Sequence, residues 1–168
     1  MKQIPLTQNK IALVDDEDYA LVSQFKWHAC YDPTKGWYAR SSRGQGPSGL
    51  VNMHRFIMQP GKLEVDHING DGLDNRRSNL RLCTRRQNSM NQKKQKNCTS
   101  KYKGVSWSKR RKKWAAAITL YGKYKSLGFF DDEEEAAQAY RVAARKYFGE
   151  FALKDEYTFN DLMYGSED

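Results

Sequence analysis

No stretch of the chain approaches the ~18 consecutive apolar residues of a membrane span. The N-terminal MKQIPLTQNKIALVDDEDYA lacks the apolar core and small-residue cleavage site of a secretory signal. A cytoplasmic protein with no membrane partner is therefore expected. Cysteine is scarce and wrongly spaced for metal. Cys30, Cys83 and Cys98 form no CxxC pair, which argues against a zinc knuckle or ribbon. Cys83, between Leu82 and Thr84 in an expected strand, reads as a small buried hydrophobe rather than a nucleophile. Acidic residues are missing from one long segment. From Arg76 to Lys113 there are 15 Lys or Arg and no Asp or Glu, so the rest of the chain carries about −6 of the formal +9. Because Leu80, Leu82, Tyr102, Val105, Trp107 and Trp114 interleave the segment, it is not a solvated tail. It points to a polyanionic partner, nucleic acid above all.

At 168 residues the chain holds one domain or two small ones, and 39% hydrophobic content with a mean hydropathy of −0.90 fits globular units with a generous polar surface. Residues 1–50 read as a β-rich region. KIALVDD is a strand, DEDYALVSQF a short helix with Tyr19, Val22 and Phe25 a turn apart, and WHACYDPTKGWYARSS a hairpin. SSRGQGPSG is a flexible loop, and LVNMHRFIMQP a helix with Met53, Phe56, Ile57 and Pro60 on one face. Residues 51–92 then give strand, long turn, strand and helix. LEVDH is the first strand, and the Asn-Gly and Asp-Gly pairs of NGDGLDN make the turn. NLRLCT alternates Leu80, Leu82 and Thr84 against Arg81 and Cys83, and Thr84 caps the helix RRQNSMNQ. Residues 93–100 are a basic linker and 154–168 an acidic tail. Between them, residues 101–153 predict three strands and one helix. The helix is capped by Asp131 or Asp132, with Glu133 to Glu135 at its positive end, and carries small alanines that let it lie close to a sheet. Tyr102, Phe129, Phe130 and Tyr140 are its expected core. The fold class is α+β.

An EF-hand calcium loop is excluded. Counted from Asp66, the third position is Ile68 and the twelfth is Arg77. Phosphodiester hydrolysis suits the residues better. A histidine takes a proton from water near neutral pH. Magnesium takes oxygen ligands and few of them from protein. Asp66 and His67 end a strand, where neighbouring side chains point different ways, so one can hold a metal while the other faces phosphate. Asn88, on the next helix, is the second candidate ligand.

The stretch VDHINGDGLDNRRSNLRLCTRRQN resembles the HNH nuclease motif in its phage and intron-homing form, with His67, Asn79 and Asn88 at spacings of 12 and 9. The resemblance implies a ββα-metal finger binding one divalent ion, Mg²⁺ or Mn²⁺. It implies Asp66 and Asn88 as ligands, His67 as general base and Asn79 as the brace of the turn, in a bacterial or phage-infected cell. Arg76, Arg77, Arg81, Arg85 and Arg86 are the expected grip on phosphate. His54, in the MHRFIM segment that commonly precedes the motif, is a candidate phosphate contact, with a structural role as the alternative.

Downstream, YKGV, KWAAAI, LGFF and EEEAAQAYRVAARKYFGEFA resemble, in order, the plant APETALA-two/ethylene-response DNA-binding domain. That implies a three-stranded antiparallel sheet on one helix, entering the major groove. Lys103, Lys113 and Trp114 fall at or beside its DNA-facing positions. Arg110 and Arg111 are contacts from the turn, and Lys123 and Lys125 are phosphate contacts; sheet core is the alternative for Trp114. Ser106 and Ser126 stand where that domain usually has Arg and Trp. The reading is a monomeric endonuclease acting on double-stranded DNA, with no small-molecule cofactor. Its rival is a DNA-binding regulator with an inactive finger.

Overall fold

The computed structural model describes residues 1–42, 49–92, 94 and 98–153. The core of the SSRGQGPSG loop, half of the basic linker and the acidic tail lie outside the described residues. The chain divides into two compact units, Met1–Asn91 and a second beginning at Gln92. Among the described residues no helix is long and apolar enough to cross a membrane.

In the first unit β1 (Lys2–Pro5) pairs antiparallel with β2 (Ile11–Val14), followed by α1 (Asp16–Val22). β3 (His28–Asp32) and β4 (Gly36–Ser41) form the expected hairpin, with β5 (Val51–Asn52) added to its edge. Then come α2 (Met53–Met58), β6 (Glu64–His67), β7 (Leu80–Cys83) and α3 (Arg85–Met90). One cluster of buried side chains joins Ile4, Ala12, Val14, Val22, Trp27 and Ala39 to Met53, Ile57, Val65 and Leu80. The first 50 residues and the expected finger thus share a single core.

Two expected faces are corrected. On α1, Tyr19 is 39% exposed, and the buried positions are Val22 and Asp18, four residues apart and stacked on one side. Asp18 is buried because Arg77 neutralises it from the long turn, through Nε–Oδ2 and Nη2–Oδ1 contacts of 2.8 and 2.7 Å. On β7, Leu80 and Cys83 are buried but Leu82 is 43% exposed, so the Leu-Leu alternation does not mark one apolar face. Arg81 and Cys83 instead share the side of Asp66 and Glu64, their cross-strand partners. Burial pushes the Cys83 thiol up to about 11, which leaves it an inert thiol.

The second unit contains β8 (Val105–Ser108), β9 (Lys113–Leu120), β10 (Lys123–Phe130) and α4 (Glu133–Phe148), in the sheet order β10-β9-β8. Tyr121 and Gly122 join β9 to β10 with positive φ at both residues, a turn whose twist matches the strands. Asp132 Oδ1 caps α4 by accepting from Glu134 N and Glu135 N at 2.7 and 3.1 Å. The helix packs Ala136, Ala137, Tyr140, Ala143 and Ala144 onto Tyr102, Val105, Ala116 and Ile118. Phe129, expected in the core, is 40% exposed, because its register partner Ala115 lies on the face opposite to α4.

Gly104 is where helix and sheet lie closest. At φ +75° it is in the left-handed region, and an added Cβ would lie 2.0 Å from a Tyr140 ring carbon. Gly104→Ala is expected to destabilise the second unit by about 3 kcal/mol through overpacking and backbone strain. Urea unfolding followed by Trp107 and Trp114 fluorescence checks this; a shift well under about 1 kcal/mol would contradict the packing.

Candidate active site

The β6–β7 ribbon has two faces. Asp66 pairs in register with Arg81, and His67 with Leu80. Because side chains alternate along a strand, Glu64 and Asp66 project to one side and Val65 and His67 to the other. Val65 and Leu80 enter the core. At the end of that side His67 meets two aromatic rings edge-on, His54 at 4.8 Å and Tyr38 at 5.9 Å between ring centres.

Asp66 is 5% exposed and fully engaged. Arg81 Nε and Nη2 donate to its Oδ2 at 2.8 and 2.6 Å. Asn91 Nδ2, just past α3, donates to Oδ1 and Oδ2 at 3.0 and 3.1 Å. The capping box of Thr84 and Gln87 sets where α3 starts, and hence where its far end reaches the ribbon. Asn88 does not meet Asp66 in this way: its Nδ2 donates to Glu64 Oε2 at 2.6 Å. That bond holds the Asn88 carboxamide by its nitrogen.

His67 is 6% exposed, and burial lowers its pKa, with Asn75, Asp66, Asp71 and Asp74 opposing the shift. Its Nε2 lies 3.4 Å from Asn75 Oδ1. Asn75 is fully buried and its orientation is fixed by Nδ2 donating to Leu73 O at 3.1 Å, so Oδ1 accepts and His67 Nε2 carries the hydrogen. His67 Nδ1 then has the free lone pair a general base needs. Asn79 makes the contacts of a brace. Its Nδ2 donates to Asn69 Oδ1 and Asp74 O at 3.0 and 2.8 Å, and its Oδ1 accepts from Asn69 N at 3.0 Å. The turn is fastened from outside as well, by Asn75 N to Leu13 O at 2.8 Å and Arg77 N to Asp15 Oδ2 at 2.8 Å. His54 is buried beside His67, and burial takes its pKa down to about 3. It stands in the core as a neutral ring, with Nδ1 buried and unpartnered.

Three of the five arginines assigned to phosphate are paired with buried aspartates. Arg81 holds Asp66, Arg77 holds Asp18, and Arg76 grips Asp74 with Nε–Oδ1 and Nη2–Oδ2 contacts of 2.7 Å each. The reason is common to all: Asp18, Asp66 and Asp74 are 3–5% exposed, and a buried carboxylate requires a counter-charge. Arg85 and Arg86 are exposed on α3.

In the second unit Lys103 is half-buried, with Nζ donating to Gln92 O at 2.7 Å and a pKa lowered by burial to about 8. It is therefore not an open phosphate contact. Trp114 lies edge-on to Trp107 at 5.1 Å and packs against the core. Lys125 reaches Tyr147 of α4 at 2.6 Å, so it and Lys123, two residues away, lie on the helix side of the sheet. The open face carries the rows Ser106–Ala115–Phe129, Ala117–Ser126 and Thr119–Tyr124, with Lys113 at its end bonded to Asp131 at 2.9 Å. The exposed cations gather at the β8–β9 turn, where Arg110 is open and the Arg111 guanidinium sits 4.3 Å over the Phe129 ring.

Sequence reasoning missed Asn75 and Asn91. Asn75 was read as turn chemistry; Asn91 lies one helical turn beyond Asn88, a spacing that could have flagged it. The donor set fits an oxygen-seeking cation. Among the described residues no three His, Cys, Asp or Glu side chains gather as a metal cluster. Beside the Asp66 carboxylate stand the Arg81 guanidinium and the Asn91 carboxamide, and Asn91 Oδ1 is buried there without a hydrogen-bond partner. One carboxylate with amide oxygens suits Mg²⁺ or Mn²⁺, which keep most of their coordination for water and phosphate.

The HNH endonuclease family profile matches residues 58–90, the ribbon and α3. An uncharacterised HNH endonuclease of Acanthamoeba polyphaga mimivirus is 33% identical over 155 residues, covering 88% of this chain and 76% of the relative. Protein 3.8 of Escherichia phage T7 is 41% identical over 88 residues, covering 52% of this chain and 72% of the relative. No solved structure matches. The chain belongs to the HNH endonuclease family. The mimiviral match is long enough to extend into both compact units.

The buried histidines link stability to pH. His54 takes up a proton near pH 6.5 when unfolded but only near 3 when folded. Between those values the unfolded chain holds the extra proton, so stability is full above about pH 6.5 and falls as pH drops through the window. Lowering pH from 7 to 5 should cost about 2 kcal/mol at this one site, and His54→Phe should flatten the decline by that amount. Urea midpoints at the two pH values decide it; parallel declines in both proteins would refute the assignment.

Proposed function

We propose that this HNH-family nuclease is a divalent-metal-dependent DNA endonuclease, with His67 as general base and Asp66 and Asn88 as ligands of one Mg²⁺ or Mn²⁺. The observation that carries the reading is the state of His67. It is buried, kept neutral, and held with Nε2 on Asn75 so that Nδ1 is the basic atom, one residue from the Asp66 carboxylate on the opposite face. When bound, the cation supplies positive charge for the phosphate and the leaving oxygen. His67 Nδ1 takes the proton of the attacking water as its oxygen bonds to phosphorus, and the P–O bond to the leaving sugar oxygen breaks, that oxygen taking up a proton from solvent. Asn79 keeps the turn closed, and through it the Asn75 contact. Arg81 and Asn91 keep Asp66 from swinging.

The second unit acts as the DNA anchor, and it engages phosphate chiefly through the Lys109–Lys113 turn and the exposed Arg110 and Arg111. Its resemblance to the plant APETALA-two/ethylene-response domain supports a sheet-borne anchor. The uncharged open face, with Ser106 and Ser126 in place of Arg and Trp, makes backbone contact rather than base readout its main contribution. A monomer has one such site, so the expected product is a nick. The regulatory alternative draws on Asp66 being already paired with Arg81 and Asn91.

Supercoiled plasmid incubated with Mg²⁺ or Mn²⁺ separates the two readings. The wild-type chain should relax it by nicking, and His67→Ala should lower the rate by about 1,000-fold. Intact plasmid with wild type under either cation would sink the enzyme reading. For the anchor, Arg110→Ala and Arg111→Ala should each reduce the slope of log affinity against log salt by about one and leave nicking chemistry intact. Slopes equal to wild type would remove the turn from the interface.

A further inference from the structure

Asn91 is 4% exposed and belongs to no assigned role. Besides Asp66, its Nδ2 reaches the backbone oxygens of His67 and Ile68, at 2.8 and 3.4 Å. A primary amide has two hydrogens, so one nitrogen serves both a carboxylate and the carbonyl of the adjoining residue. The orientation is forced: exchanging nitrogen and oxygen would press the amide oxygen against a carboxylate and two carbonyls. Oδ1 has no partner, so every hydrogen bond this side chain makes runs through its nitrogen. On the other side of the same carboxylate, Arg81 Nε and Nη2 converge on Oδ2. A full positive charge would draw the carboxylate towards itself, and the neutral amide is the group that ties it back to the strand.

We propose that Asn91 is a positioning residue of the nuclease site. Its amide fixes the Asp66 carboxylate relative to the backbone of His67, so that the cation's carboxylate ligand and the general base keep one spacing. The assignment rests on the reading of Asp66 and His67 as ligand and base. It makes the end of α3 part of the site twice, through Asn88 and, one turn later, through Asn91. Without the amide, Asp66 turns to Arg81 and presents its oxygens less well to a cation.

The test uses the full chain and Mn²⁺, followed by loss of the free-ion electron paramagnetic resonance signal, with plasmid nicking alongside. Asn91→Leu keeps the shape and removes the donor. Its Mn²⁺ Kd should rise about 10- to 100-fold, the range for residues that orient metal ligands. Its kcat should fall while KM for DNA stays the same, a split that a merely structural role would not produce. Asp66→Ala is the control. If wild type and Asp66→Ala bind Mn²⁺ equally, the metal reading fails and this proposal falls with it. If Asp66→Ala binds weakly while Asn91→Leu matches wild type in Kd and kcat, the Asn91 assignment alone is overturned. Should Asn91→Leu fail to fold, the Asn91 side-chain amide resonances of the wild-type chain serve instead. They should shift as Mg²⁺ saturates the site, and resonances that do not move would overturn the proposal.

Discussion

A carboxylate removed from water must find positive charge or hydrogen-bond donors, and Asp66 sets this demand at the centre of the first unit. Arg81 answers from the partner strand and Asn91 from the end of α3, so one side chain fastens strand to strand and helix to ribbon. The same demand recurs around it. Asp74 recruits Arg76 within the long turn, and Asp18 recruits Arg77 from a helix some 60 residues earlier. These pairs explain why a segment so rich in arginine presents less open charge than its composition suggests. The Asp18–Arg77 pair also ties residues 1–50 to the long turn, beside the core that they share with the ribbon.

The two-sided ribbon separates two chemical environments. Asp66 lies among hydrogen-bond donors, in a setting suited to an anion. One residue on, His67 lies against His54, Tyr38 and the apolar core, where burial keeps the imidazole neutral. A period of two along the strand is enough to put Asp66 and His67 in these opposed settings. The loop between the strands, with Asn75 fully buried and Asn79 nearly so, is the frame that keeps the histidine's tautomer.

In the second unit the helix face and open face of the sheet differ in the same way. Alanines on α4 allow close approach, the Gly104–Tyr140 contact being the tightest, and aromatic and aliphatic residues fill the helix side. The other side is short and uncharged across its middle, and its cations gather at one turn. Charge placed there acts on a phosphate backbone more readily than on base edges.

The order of elements was legible in the sequence, because it depends on local signals: Thr84 and Asp132 as caps, the aromatic hairpin, Pro60-Gly61 after α2 and the Asn-Gly and Asp-Gly turn. The spacing of His67, Asn79 and Asn88 was equally legible, since a family pattern is carried by residue type and interval alone. The pairing of charges was not. Whether an arginine faces solvent or a buried aspartate depends on contacts such as Arg77 with Asp18, which no local window contains. Nor could the sequence say that Phe129 faces outwards while Lys125 lies on the helix side, because a bulge between Ser126 and Gly128 shifts the register. By itself the sequence determined the chemistry on offer: an Asp-His pair, carboxamides at set intervals and a cationic segment. Only the tertiary structure decided which of those groups are spent on one another and which are left for a substrate, because burial sets that choice and burial is a property of the packed chain.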